Sequence, residues 1–175
     1  MPQIHPIIVE FQNACQKHFI CYILANKGMN SFRQRFAKAQ PGNRIFISPK
    51  DPALFPATAS MFQLELFNKL KPDGEFADAL AKAFLVEIYS DWDEYFRPHY
   101  AKVHNAKKNN IQCDLMGDLR RIRNCIIDDR SILEQKDINM KCLNWHLNPG
   151  PLQVTQEMFS TFVEQANNLE VVISE

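Results

Sequence analysis

The sequence has no excess of either charge and no long apolar run. Among its 175 residues, 20 Lys and Arg balance 20 Asp and Glu. A chain without net charge has no overall attraction for nucleic acid or anionic lipid, so RNA binding would require a local basic patch. No uncharged apolar stretch approaches the ~18 residues of a membrane span, and the opening MPQIHPIIVEF lacks the basic region of a secretory signal. We therefore expect a cytoplasmic protein without membrane contact.

Cysteine pairs at metal-binding spacing and glycine-rich loops are also missing. The five cysteines are odd in number, scattered, and never arranged as Cys-x-x-Cys. This pattern favours reduced thiols over disulfides or structural zinc. The five glycines are dispersed, so the sequence contains no phosphate-binding glycine loop. We expect neither a metal nor an organic cofactor.

Apolar residues recur at steps of three and four along most of the chain, which predicts amphipathic helices. The predicted helices cover residues 4–26, 57–70, 74–98, 113–133 and 155–169. The first is expected to end near Gly28, and Pro98 is expected to kink or end the third.

Two segments lack the helical pattern. Residues 29–57 are irregular, with turns at QPGN and SPKDP around a short apolar piece, RIFI. Residues 138–154 are predicted to be extended, with NPGP as the turn between KCLNWHL and LQV. The resulting fold class is mainly α. We predict a single domain over 1–175, a bundle of four to five helices with a short extended hairpin near the C-terminus.

The segment GDLRRIRNCIIDDRSIL (117–133) carries an unusual polar face on a helix. An apolar stripe on this helix predicts its core side. Its members are Leu115, Leu119, Ile122, Ile126 and Leu133. A second face holds Arg120, Arg123, Asn124 and Asp128, and Ile127 lies in its middle. An isoleucine among charged groups indicates that this face meets a partner subunit, another helix or a ligand.

The stretch GDLRRIRNCIIDD resembles the motif helix of the HEPN superfamily, small helical bundles of toxin–antitoxin and phage-defence systems. In that family an Arg and a polar residue precede a His. Here Arg123 and Asn124 match, and four residues separate Arg123 from Asp128, which stands in the place of the His. A tryptophan-containing extended segment, a Pro-Gly turn and the helix VTQEMFSTFVE strengthen the resemblance, which covers residues 76–170. Residues 1–75 add an N-terminal helix and the irregular segment.

The resemblance implies a two-fold dimer and metal-free RNA chemistry in which the 2′-hydroxyl attacks the phosphate. It places Arg123, Asn124 and Asp128 at the catalytic positions. Such a reaction needs a group that exchanges protons at neutral pH, which a histidine does. An aspartate among arginines is expected to stay a carboxylate and to pair with one of them. Impaired catalysis is therefore expected, with RNA or nucleotide binding retained.

A local basic patch is available for such binding. Lys107 and Lys108 follow the third predicted helix, and Arg120 and Arg121 lie on the motif helix. We expect these four residues to contact phosphate groups. The expected partners are RNA or a nucleotide, a second copy of the chain, and an antitoxin-type protein.

Three other interpretations of the same residues stay open. The first is an active metal-independent endoribonuclease, in which Asp128 or a distant histidine, His99 or His104, moves the proton. The second is a protein–protein interaction module without any nucleic-acid role. The third is a salt-bridged helix surface without function.

Overall fold

The computed structural model describes residues 5–47, 59–136 and 138–174. Helices dominate these residues, which confirms the mainly α class. The α-helices are α1 (Pro6–Arg33), α2 (Gln63–Lys69), α3 (Glu75–Asp91), α4 (Arg97–Val103), α5 (Asp114–Ile127) and α6 (Gln156–Ala166). The short strands are β1 (Arg44–Ile47), β2 (Ala59–Phe62), β3 (Ile111–Gln112), β4 (Ile132–Leu133), β5 (Gly150–Pro151) and β6 (Val172–Ile173). The HEPN-like arrangement of these helices stays a prediction.

The chain divides into two compact units, Met1–Tyr22 with Asp78–Glu175, and Ile23–Ala77. The larger unit contains the segment that resembles the HEPN motif helix. The prediction of one domain over the whole chain is not tested by this division.

The core of the larger unit is aromatic. In the first half of α1, Phe11 is fully buried, and its ring centroid lies 5.1 Å from that of Trp92 and 5.2 Å from that of Phe96. Tyr22 meets Phe159 of α6 at 5.2 Å. Tilted and edge-on aromatic contacts at these distances stabilise a core beyond the burial of apolar area. The apolar periodicity of α1 and α6 therefore reflects packing, as expected.

The helix that starts at Glu75 continues past Pro98. A π-helical turn, Trp92–Phe96, joins α3 to α4, and the Arg97 N–H donates to the Trp92 carbonyl. A proline has no N–H and clashes with the carbonyl four residues earlier, and the wider π turn accommodates both effects. Of the two predicted effects of Pro98, a kink or an end, the helix does not end there, and the distortion lies just before the proline as the π-helical turn.

The predicted hairpin near the C-terminus was wrong. Gly150–Pro151 pairs antiparallel with Ile132–Leu133, and β3 pairs antiparallel with β6. A turn at NPGP is compatible with either pairing, because turn residues do not specify which distant segment becomes the partner. The segment before the turn has no strand, and it is held instead by the burial of Leu143 and Trp145.

The C-terminal ends of α5 and α6 also differ from prediction, and α6 ends at Ala166 rather than at Leu169. The α5 helix stops at Ile127 rather than at Leu133, because Arg130 and Ser131 adopt left-handed φ angles of 51° and 63°. The α6 helix begins after Thr155, whose side chain accepts the N–H of Met158 at 3.2 Å. The start at Thr155 agrees with the predicted range, and the capping hydrogen bond is the physical reason for it.

In the smaller unit, α1 continues beyond the predicted end at Gly28 and reaches Arg33. The predicted helix over 57–70 begins instead as strand β2, which pairs antiparallel with β1, and α2 follows it. The Arg33 guanidinium lies 4.0 Å from the centroid of the Phe67 ring and donates to the Phe67 carbonyl at 3.0 Å. Residues 48–58, most of the remaining irregular segment, lie outside the described residues.

Candidate nucleic-acid interface

The α5 helix presents its apolar stripe to the core and its polar face outward. Leu115, Leu119 and Ile122 are buried, which confirms three members of the predicted stripe, and Ile126 is half-buried. Leu133 is buried as well, but it lies in β4 and not on the helix. On the other face, Arg120 is exposed and Ile127 keeps 47% of its surface exposed.

The predicted catalytic residues meet at the C-terminal end of α5. The Arg123 Nη1 lies 3.1 Å from the Asn124 Oδ1 and 3.6 Å from the Asp128 Oδ2. The Arg123 side chain keeps 33% of its surface exposed and that of Asp128 58%. An ion pair this open to solvent is worth at most about 1 kcal/mol. The guanidinium is thus oriented by its neighbours but stays accessible to an anion.

The four predicted phosphate-binding residues fall into two groups. Arg121 donates to the carbonyl of Asn139, and the Lys108 ammonium lies 2.9 Å from the Asp93 carboxylate. These two cations are occupied within the fold. The side chains of Arg120 and Lys107 are exposed and make no hydrogen bond or ion pair with any described residue.

The pairing around Asp93 has an electrostatic consequence. Burial alone would raise the pKa of this carboxyl, but the hydrogen bonds from Lys108 and Arg97 hold its pKa below the usual value. Arg97 also donates to the Ile111 carbonyl at 3.1 Å, so the cluster joins α4 to β3. Of the two lysines that follow α4, Lys108 therefore stabilises the fold, whereas Lys107 stays exposed.

The two histidines that were candidates for proton transfer, His99 and His104, contact other aromatic rings. The His99 ring lies 4.3 Å from the Tyr95 ring, and its Nδ1 lies 2.6 Å from the Tyr95 carbonyl oxygen, which fixes Nδ1 as the donor. The His104 ring lies 4.4 Å from the Tyr100 ring and 5.4 Å from that of His5. Over residues 5–47, 59–136 and 138–174, no hydrogen bond, ion pair or ring contact joins a histidine to Arg123.

The sequence reasoning missed Asp118, which is the most buried charged side chain on α5 at 1% exposure. Its Oδ2 accepts the backbone N–H groups of Lys141, Cys142 and Leu143 at 2.9, 2.6 and 3.1 Å. Its Oδ1 accepts the Lys141 N–H at 3.0 Å. A carboxylate on the apolar stripe was the signal that could have revealed this residue.

A second missed pair fixes the segment that precedes α6. The Asp78 Oδ1 accepts the N–H of Val154 at 2.7 Å. The Lys82 Nζ lies 2.8 Å from the Asp78 Oδ2 and donates to the Leu152 carbonyl at 2.6 Å. Both side chains are largely buried, so this ion pair stabilises the fold and is not placed to bind a ligand at the surface.

Neither a metal centre nor a bilayer crossing is defined by the described residues. They contain no group of three His, Cys, Asp or Glu side chains able to hold a metal ion. Among them, none of the helices combines the length and apolar character that spanning a bilayer requires. No family model, curated protein or solved structure matches the chain.

Proposed function

We propose that this chain is a HEPN-like RNA-binding protein that contacts RNA through one stripe of α5. The stripe consists of Arg120, Arg123, Asn124 and Ile127, which recur at helical steps of three and four. The main support for this proposal is Arg120, whose guanidinium is exposed and has no ion-pair partner among the described residues. It lies one helical turn from Arg123, which is also accessible to solvent. Guanidinium groups at this spacing suit adjacent phosphates, because each donates two parallel hydrogen bonds.

Binding without turnover fits the partners of Arg123. Cleavage by an internal 2′-hydroxyl needs a group that accepts and then returns a proton. The side chain at the motif position is Asp128, and its carboxylate lies against the guanidinium at 3.6 Å. In this proposal Asp128 restrains Arg123 and does not carry the proton.

A two-fold dimer through α5 belongs to the same proposal. Ile127 lies half-exposed at the C-terminal end of the stripe. In the dimer a second copy would cover Ile127, and the Arg120, Arg123 and Asn124 side chains of both copies would contact the RNA in one groove. The resemblance to the HEPN superfamily extends the proposal to a toxin–antitoxin or phage-defence setting, with an antitoxin-type protein as a further partner.

The test is fluorescence anisotropy with a short, mixed-sequence single-stranded RNA. We expect Arg120→Ala to weaken binding severalfold and to lower the salt slope by about one unit between about 50 and about 200 mM salt. Lys17→Ala is the matched control, because Lys17 is an exposed cation on a helix of the same unit. Equal losses in the two variants, or no binding at the lower salt, would contradict the proposal.

A further inference from the structure

A cavity of about 620 Å³ opens in the larger unit beside the start of α5. Cys113 and Leu115 form one wall, Cys142 a second, and the end of α6 with Leu169 and Val172 the rest. This volume lies in the range of small-molecule sites, about 300–1,000 Å³. The cavity is separate from the Arg123 cluster, which occupies the other end of α5.

Hydrogen bonds hold the walls of this cavity in place. The Cys142 N–H donates to the buried Asp118 carboxylate at 2.6 Å, and the Cys142 carbonyl accepts from the Gln165 Nε2 at 2.7 Å. On the opposite side, β3 and β6 pair through Gln112 and Val172. Hydrogen bonds thus hold the Cys142 backbone at both its N–H and its carbonyl, and strand pairing holds the opposite wall. The cavity is therefore preformed, which lowers the entropy cost of binding a ligand.

The polar groups around the cavity are mainly acceptors of hydrogen bonds. Asp114, Glu164 and Glu170 are exposed carboxylates at its edge, and no Lys, Arg or His stands among the described residues that line it. Gln165 Oε1 is buried and has no hydrogen-bond partner among the described residues. A 180° rotation of the Gln165 side-chain amide would not give this oxygen a donor, because Gln165 Oε1 would then face the Cys142 carbonyl oxygen.

The two thiols add no negative charge to the cavity at neutral pH. Burial raises the pKa of the Cys113 thiol to about 11. Burial also raises the pKa of Cys142, and the nearby Asp118 and Asp114 carboxylates raise it further. The cavity therefore has neutral, apolar walls and an anionic edge.

We propose that the cavity binds a small organic cation, an ammonium group carried on an apolar body. The apolar body fits against Leu115, Leu169 and Val172, and the ammonium is placed to donate to Glu164 and Glu170. Asp114 contributes less, because the Lys141 ammonium already lies 2.7 Å from its carboxylate. An anion of the same shape would meet unpaired carboxylates and is disfavoured.

The experiment titrates phenethylamine into the isotope-labelled chain of 175 residues and follows backbone amide resonances by NMR. We expect saturable shifts confined to residues around Cys142, Leu169 and Val172. Phenylpropionate and phenethyl alcohol have similar apolar bodies with a negative and a zero charge. Each should bind about tenfold more weakly or not at all, because each lacks the charge-assisted hydrogen bond.

The double variant Glu164→Gln, Glu170→Gln should remove the preference for the amine over the alcohol. Glu10→Gln is the matched control, because Glu10 is an exposed carboxylate of the same unit outside the cavity. Equal affinity of the wild type for phenethylamine and phenethyl alcohol would overturn the proposal. Shifts that do not saturate, or an unchanged amine preference in the double variant, would overturn it as well.

Discussion

Replacing Asp118 tests whether a buried carboxylate holds the segment around Cys142 to α5. In Asp118→Asn the best placement keeps an amide oxygen at the Oδ2 position, where three N–H groups converge. The Asn NH₂ group then faces the Lys141 N–H, which Oδ1 accepts at 3.0 Å in the wild type. One hydrogen bond is lost, and three change from charged to neutral acceptors.

The magnitude follows from these contacts. A hydrogen bond to a charged group contributes about 1.5–3 kcal/mol and a neutral one about 0.5–1.5 kcal/mol, so three weakened bonds cost about 3 kcal/mol. Relief from burying a charge offsets part of this cost. We expect Asp118→Asn to lower the free energy of unfolding by about 2–4 kcal/mol. Asp118→Ala should cost more, because buried N–H groups left unpaired cost about 1–3 kcal/mol each.

The assay is urea unfolding at neutral pH, followed by circular dichroism, with the midpoint and the m-value fitted separately. Asp114→Asn is the control, because Asp114 lies on the same helix but keeps 62% of its side chain exposed in its ion pair with Lys141. It should cost less than about 1 kcal/mol. If Asp118→Asn is no more destabilising than Asp114→Asn, the reasoning is refuted and the desolvation of the carboxylate outweighs its hydrogen bonds.

Further predictions concern the motif end of α5 and the cavity thiol. Asp128→His should confer RNA cleavage in EDTA that yields cyclic phosphate ends, and the additional change Arg123→Ala should abolish it; an inactive Asp128→His protein would count against the HEPN-like site. Ile127→Glu should shift the sedimentation of a wild-type dimer toward the monomer, because it places a carboxylate in the contact; a monomeric wild type at micromolar concentration would exclude that contact. Alkylation of Cys113 should accelerate up to about pH 11, where its raised pKa lies, since only the thiolate reacts; a rate that levels off near pH 8–9, about the range of an ordinary thiol, would contradict the burial argument.

The sequence predicted elements whose signal is local. The apolar steps of α5 and the start of α6 near Thr155 depend on neighbours within a few residues. The pairing of Ile132–Leu133 with Gly150–Pro151 depends on where distant segments meet, and no local pattern encodes it. The π turn before Pro98 lets the helix continue past the proline, and helix propensity alone does not predict that adjustment.

The residues of the candidate site were likewise predictable only where they lie close together in sequence. Arg123, Asn124 and Asp128 are near in sequence, and a helix brings them together. Lys108 pairs with Asp93, and Arg121 donates to the Asn139 carbonyl. In both cases a loop separates the two partners in sequence. Composition therefore could not show that these two cations are occupied while Arg120 is not. His99 and His104 each contact the tyrosine four residues earlier rather than Arg123.

The two faces of α5 allow structure and function to be separated by mutation. Asp118 faces the core and holds a distant segment, whereas Arg120 lies on the exposed face without a described partner. Loss of Arg120 should therefore weaken RNA binding at unchanged stability, since exposed cations contribute little to folding. Asp118→Asn should lower RNA binding only in proportion to the unfolded fraction, and added urea should reveal that dependence. A binding defect in Asp118→Asn that persists where circular dichroism shows the variant fully folded would mean that RNA contacts the anchored segment instead of the α5 stripe.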